Sequence, residues 1–459
     1  MTDTYDVIVI GAGPTGENVA DRAVKGGLSA LIAESELVGG ECSYWACMPS
    51  KALLRPVSAV SEAKHIGGVT GARLVTPEVL ARRDSFAHDW NDDSQVDWLK
   101  NAGIDLVRGS GKITGVRSVE VAGTQYQARR AVVVCTGSHA MVPPALAEIS
   151  PWTSREATSA GAPEGPAVPE RLAIVGGGVV GCEMAAAWSA LGVRVTLLSR
   201  GELLDQSEDF AGQLVADGLR AAGVDVRTNA SVLSATRDGS GEVTLTLTDG
   251  TRVSADEVLA ATGRAPRTDD IGLEHTGLHP GAWLDTDDTM RVLGVDGDWF
   301  YAAGDVTNRA LLTHMGKYQA RVCGDAIAAR ARGEQPSVLA TAPVPQVVFT
   351  IPEVASVGLT AAEAITTGYR TRVVDYDLGS VAGASLFEDQ YSGQARMVVD
   401  EDRRVLLGVT FVGPGTGEMI HAATIAVAGA VPLDRLWQSV PSYPTMSEVW
   451  LRLLETYGM

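Results

Sequence analysis

Two cysteines, Cys42 and Cys47, share one short segment, Gly39-Gly40-Glu41-Cys42-Ser43-Tyr44-Trp45-Ala46-Cys47-Met48-Pro49-Ser50-Lys51. The interval is not that of a zinc ribbon, and no further Cys or His cluster lies near enough in sequence to complete four metal ligands. Nor is it a Cys-x-x-Cys motif. Two readings stay open from the spacing: a pair of free buried thiols, or a dithiol that cycles with a disulfide beside an electron carrier. Position favours the second, because the segment follows a glycine-rich turn of the kind that holds dinucleotides. Pro49 is expected to fix the chain at the start of a following helix.

That turn occurs twice. The β-branched run Asp6 to Ile10 enters Gly11-Ala12-Gly13-Pro14-Thr15-Gly16 and a helix-like stretch to Lys25; Leu172 to Val175 enters Gly176-Gly177-Gly178-Val179-Val180-Gly181 and a helix-like stretch from Cys182 to Leu191. Strand, glycine turn and helix in this order are what a dinucleotide fingerprint requires. The glycines permit the tight turn and close approach of a pyrophosphate. The helix start adds free N–H groups and a partial positive charge. Each copy is followed by another strand, Ala30 to Ala33 and Val193 to Leu198, so the chain is expected to hold two nucleotides. Glu34, ending the first of these strands, suits the ribose 2′-OH of FAD or NAD. The corresponding place in the second copy is Ser199, followed by Arg200. Serine does not repel a 2′-phosphate and arginine pairs with one, so NADPH is expected there in preference to NADH.

Composition narrows the partners. The 459 residues carry 37 Lys and Arg against 56 Asp and Glu, a net charge of −19. Such a surface repels phosphate backbones and anionic lipid, which argues against nucleic acid or membrane as the main partner. Five cysteines in this length make no disulfide scaffold and point to a reducing compartment. The start of the sequence shows no targeting pattern, and the weakly polar stretch Ala422 to Leu433 is short for a membrane span. A cytoplasmic protein is expected. Pro143 to Pro169, rich in Pro, Ala, Ser and Gly, suits a linker before the second nucleotide domain. From Ala342 onward alternating apolar segments and a helix-like Ala422 to Ala428 suggest an α+β region.

The two fingerprints, the Cys-x4-Cys-x-Pro-Ser-Lys segment and Ala303-Gly304-Asp305 together resemble the pyridine nucleotide-disulfide oxidoreductases, a family that includes dihydrolipoamide dehydrogenase, glutathione reductase and mercuric reductase. The resemblance spans nearly the whole chain, including Val347 to Thr360 and Phe411 to Glu418. It implies an α/β fold with two Rossmann-like dinucleotide-binding domains and an α+β dimerisation domain, acting as a homodimer. The expected division is 1–150 and 266–341 for FAD, 151–265 for NAD(P) and 342–459 for dimerisation. FAD would lie on Gly11, Gly13, Gly16 and Gly40, with Glu34 at its ribose, Asp305 at the ribityl chain and Thr136-Gly137-Ser138 at its adenosine end. Lys51, paired with Glu183, would stand near the flavin, as would Gly304 and the segment of His314. NADPH would lie over Gly176, Gly178, Gly181, Glu183, Ser199 and Arg200, with Gly263 also in the cofactor set. Cys47 would be the flavin-proximal thiol and Cys42 the one that attacks an incoming disulfide.

One segment departs from these relatives. Disulfide reductases of the family usually close with His-x-His-Pro-Thr-x-Ser-Glu; here the segment reads Pro441-Ser442-Tyr443-Pro444-Thr445-Met446-Ser447-Glu448. Tyr443 replaces the proton-shuttling His, and Glu448 remains to orient it. Free Tyr titrates near ~10 and free His near ~6.5, so a phenol donates a proton to a leaving thiolate but is a poor base for a thiol. Mercuric reductase carries a Tyr in this place, but its C-terminal Cys pair has no counterpart here, so mercury reduction is not expected. Tyr44 and Trp45 replace the smaller residues found between the relatives' thiols. They either fill space or shape access for a planar quinone. Three functions follow: reduction of a disulfide or related thiol-reactive acceptor through the thiol pair; direct NADPH:quinone (diaphorase-type) reduction by the flavin; or a non-catalytic redox-sensing subunit. Under the first, Cys42→Ser and Cys47→Ser are each expected to abolish steady-state turnover with the physiological acceptor; full activity in either variant contradicts it.

Overall fold

The computed structural model describes residues 3–336, 338–339 and 342–459. They form two compact units. One is built from Met1–Pro49, Asp84–Met141 and Gly263–Thr341, the other from Ser50–Arg83, Val142–Thr262 and Ala342–Met459. The expected division at 341 falls on a residue outside the described ones.

The first unit is organised by a parallel sheet. Strand Asp3–Ile10 lies between Ala30–Glu34 and Thr124–Val134; Asp105–Arg108 extends one side and Phe300–Ala302 pairs with the end of Thr124–Val134. Val7, Ile8, Val9 and Ile10 are all buried, as a strand covered on both faces demands. The crossover helix Pro14–Lys25 packs against helix Thr313–Ala331 through small residues. A Cβ on Gly324 would stand 2.5 Å from Arg22 Cβ, so only glycine permits this approach. Arg22 then clasps Asp325 with two hydrogen bonds of 2.7 and 2.8 Å.

The second unit repeats the theme. Arg171–Val175 is the inner strand of a four-stranded parallel sheet with Arg194–Leu198 and Asp225–Arg227 on one side and Glu257–Ala260 on the other. Helix Val179–Ala190 makes the crossover and is buried along most of its length. A three-stranded antiparallel sheet follows (Val232–Arg237, Val243–Leu247, Arg252–Ala255). The same unit holds a five-stranded antiparallel sheet, in the order Pro345–Val348, Val354–Gly358, Val405–Val412, Gln394–Asp400, Thr371–Asp377, with helices Ile420–Ala428 and Val449–Tyr457 packed on it. The α/β class and both Rossmann-like cores are as expected. No helix among the described residues is long and apolar enough to cross a membrane.

One local expectation is corrected. The stretch 143–169 is not a bare linker. Trp152 is buried, its N–H donates to Val258 O, and Ala260 N–H donates back to its carbonyl, each at 2.8 Å, so the chain adds to the sheet edge. Thr153 and Glu156 then form a reciprocal cap on helix Ser154–Ser159. The helix after the second cysteine holds Pro49 in its first turn, as expected, and begins at Cys47, which places the sulfur-bearing residue itself at the helix start.

Both fingerprint turns are shaped by the same steric contacts. Gly11 has φ +101°, and a Cβ there would stand 2.5 Å from Cys135 O; a Cβ on Gly16 would land on the Gly11 carbonyl. Gly176 faces Ala261 O and Gly181 faces the Gly176 carbonyl in the same way. The third glycine thus lets the helix sit directly on its own turn. Gly16→Ala and Gly181→Ala are each expected to cost about 1–3 kcal/mol through overpacking, measured by urea unfolding of the apoprotein. Gly13→Ala is expected to leave that stability within about 0.5 kcal/mol, the ordinary range for sites free of packing strain, because nothing lies within 4 Å of its Cβ position.

Candidate active site

In the first unit the glycine turn, the thiol segment and Glu34 come together. Gly13 caps the Pro14–Lys25 helix with no side chain on the exposed N–H groups, and the space beside its Cα is open. Such a helix start fits a pyrophosphate. Glu34 is buried at the end of its strand, and its carboxylate accepts from Ala12 N–H at 2.6 Å and Glu36 N–H at 2.7 Å. Gly40 crosses the turn closely: a Cβ on it would stand 2.8 Å from Gly13 Cα. Gly39 N–H also donates to Ala12 O at 2.8 Å, so the start of the thiol segment is tied to the fingerprint.

Cys42 and Cys47 are free thiols within hydrogen-bond reach of each other. That hydrogen bond, then burial, pushes the Cys42 thiol far above its ordinary value, while Thr313 and Lys317 oppose the shift. Cys42 is therefore the protonated partner. Cys47 opens the Cys47–Lys64 helix, where the helix dipole favours a thiolate. Thr313 Oγ1 lies 3.4 Å from its sulfur. Tyr44 is fully buried, its hydroxyl donating to Val38 O at 3.0 Å. Its ring belongs to the core, whereas Trp45 is half-buried.

Asp305 and the 136–138 turn meet in the same unit. Ser138 donates to Asp305 at 2.7 Å and receives a hydrogen bond from Arg264 Nε at 2.6 Å. Gly137 has φ +73°, and Thr136 donates to Arg267 O at 2.6 Å. Gly263, at φ +130°, accepts from Met141 N–H at 2.9 Å. Gly304, at φ +85°, donates its N–H to Gln319 at 2.8 Å. His314 is exposed near the start of helix Thr313–Ala331.

In the second unit Lys51 Nζ donates to Glu183 at 2.7 Å, and the other carboxylate oxygen accepts from Phe349 N–H at 3.1 Å. Glu183 is buried, and the Phe349 ring lies 5.1 Å below the ammonium. Gly178 caps the Val179–Ala190 helix as Gly13 caps its counterpart, again with open space at its Cα. Ser199 is buried; Arg200 is exposed and makes no hydrogen bond or ion pair among the described residues.

Tyr443 and Glu448 are not brought together. Tyr443 is 76% exposed, whereas Glu448 is buried and takes a hydrogen bond of 2.6 Å from Arg452. The arrangement that sequence reasoning omitted is tertiary: Thr313 at the Cys47 sulfur, Gln319 under Gly304, and the Phe349 N–H on Glu183. Backbone donors leave no trace in residue type, and Thr313 carries no motif of its own. No group of His, Cys, Asp and Glu suited to a metal ion occurs among the described residues.

Residues 5–326 match the family model described as pyridine nucleotide-disulphide oxidoreductase, and residues 344–453 match that family's dimerisation domain, which supports a homodimer. A dihydrolipoyl dehydrogenase of Thermus scotoductus is 32% identical over 463 residues, covering 97% of this chain and 95% of the relative. A mercuric reductase of Staphylococcus aureus is 29% identical over 454 residues, covering 97% and 81%. Among solved structures, LpdA of Mycobacterium tuberculosis matches with a TM-score of 0.84 at 24% identity, covering 100% of both chains. At that identity the likeness is one of fold.

The Lys51–Glu183 pair yields a direct test. Lys51→Met leaves a carboxylate that is 3% exposed without its counter-ion. With allowance for the partial exposure of Lys51, the expected loss is about 1–3 kcal/mol in denaturant unfolding. Adding Glu183→Gln is expected to recover most of it, because the amide oxygen still accepts from Phe349 N–H and no charge stays buried.

Proposed function

The chain belongs to the pyridine nucleotide-disulphide oxidoreductase family, FAD-dependent enzymes with a redox-active disulfide, and from this premise we propose that it passes electrons from NADPH through Cys42 and Cys47 to a disulfide or related thiol-reactive acceptor. The observation that carries the reading is the thiol pair: two sulfurs within hydrogen-bond reach, one at a helix start and one held protonated. FAD, when bound, supplies the two-electron exchange between a hydride and the thiols. Gly11, Gly13, Gly16, Gly40, Glu34 and the Thr136-Gly137-Ser138 turn would hold its adenosine-bearing half, and Gly304, Asp305 and the His314 segment the remainder. In the second unit Gly176, Gly178 and Gly181 would take the pyridine nucleotide, with Ser199 and Arg200 at its ribose; Gly263, in the first unit, stays among the proposed cofactor-binding residues. The exposed, unpaired Arg200 supports NADPH over NADH.

The residues divide the work. Cys47 is the thiolate favoured by the helix dipole. Cys42 loses its proton when it attacks an acceptor disulfide. Lys51 is held in place by Glu183. The expected division into 1–150 and 266–341, 151–265, and 342–459 remains the proposed functional one, as does a cytoplasmic location, which the small number of cysteines supports.

A second reading, direct reduction of a quinone, is favoured by the one departure in sequence: Tyr443 stands where a base is usual, and free phenol is a poor base at neutral pH. Anaerobic titration with NADPH, followed at long wavelength, is expected to take up two electrons for the flavin and two for the disulfide per chain. Uptake of the flavin's two alone contradicts the first reading. Quinone reduction that survives loss of both thiols favours the second.

A further inference from the structure

Arg267 reaches across the nucleotide end of the first unit. Its backbone is fixed from one side: its N–H donates to Gly137 O at 3.1 Å, and its carbonyl accepts from Thr136 Oγ1 at 2.6 Å. Its guanidinium is fixed from the other. Nη2 donates to Glu41 Oε1 at 2.6 Å, and Nη1 stands 3.9 Å from Glu36 Oε2. One residue thus laces the 136–138 turn to the start of the thiol segment and to the loop after strand Ala30–Glu34. All of these segments belong to the first unit.

The carboxylate it holds stands where a negative charge is unwelcome. Gly40 crosses the glycine turn so closely that a Cβ on it would lie 2.8 Å from Gly13 Cα and 3.9 Å from Pro14 Cδ. Glu41 is the next residue, about 3.8 Å further on from Cα to Cα. The uncapped helix start at Gly13 is the one that fits a pyrophosphate. A dinucleotide laid there brings its phosphate charges close to Glu41, with Glu34 and Glu36 beyond. Like charges repel more strongly where side chains are partly withdrawn from water, and the Glu41 side chain is 21% exposed. The other arginine of this loop, Arg108, is turned to different partners: Asp92 at 2.7 Å and the Glu36 carbonyl at 2.7 Å.

We propose that Arg267 is a cofactor-retaining residue, whose charge cancels that of Glu41 and so lets the helix start at Gly13 accept the pyrophosphate of FAD. The inference rests on the family's flavin and not on the nature of the acceptor. Arg267 acts through Glu41, as a positioned counter-ion, rather than as a further ligand of the phosphates. Its Nε is fully buried by protein, and its Nη2 is engaged by the carboxylate. Loss of Arg267 alone therefore leaves Glu41 opposed to the phosphates, whereas loss of both charges together does not.

The test is FAD retention by the full-length holoprotein. Each variant is diluted in steps at low ionic strength, and free flavin is measured by fluorescence in the ultrafiltrate, which yields the FAD dissociation constant. Arg267→Gln is expected to weaken retention by about tenfold or more. The double variant Arg267→Gln with Glu41→Gln is expected to return to within about threefold of wild type, as a cycle on one charge pair requires. Added KCl is expected to narrow the gap between Arg267→Gln and wild type, because salt screens the repulsion. Retention by Arg267→Gln equal to wild type overturns the proposal. So does a double variant as weak as the single one, or a gap that salt leaves unchanged, since the loss then reflects a broken tie and not a charge. If Arg267→Gln does not fold, Glu41→Gln alone decides: retention equal to or tighter than wild type supports the proposal, and weaker retention overturns it. A wild-type protein that holds no FAD at any dilution overturns the flavin assignment itself, and this proposal with it.

Discussion

The placement of Cys42 and Cys47 within hydrogen-bond reach of each other is the constraint on which the site depends. That neighbour and burial both favour the protonated form of Cys42. The surrounding structure keeps this asymmetry. A helix begins at Cys47, Thr313 stands at its sulfur, and Gly39 and Gly40 fasten the segment to the glycine turn. The two sulfurs therefore have different surroundings although they sit in one short segment.

The two units apply the same turn to different ends. In both, a helix rests on the carbonyl of its own first glycine, and a second glycine leaves open space at an uncapped helix start. They differ one strand later. Glu34 is buried and already engaged with two backbone donors, whereas Ser199 is followed by an exposed arginine with no partner among the described residues. A carboxylate excludes a second phosphate and an arginine welcomes one, so shared geometry is compatible with different nucleotides.

Much of this was legible in the sequence, and for physical reasons. Glycine turns, paired cysteines and the Lys51–Glu183 partners are recognisable because their chemistry requires particular residue types at particular places. Thr313 and the Phe349 N–H were not legible, since only the fold brings them to Cys47 and Glu183. Composition misled at 143–169, where proline and alanine suggested a linker although Trp152 pins the chain to a sheet edge.

Tyr44, buried between the cysteines and fastened to Val38, has a kinetic consequence. A loop anchored at its middle cannot carry one sulfur away from the other, so each meets its neighbour at an effective concentration far above that of any thiol in solution. Ring closure between them is then favoured over capture by dilute bystander thiols.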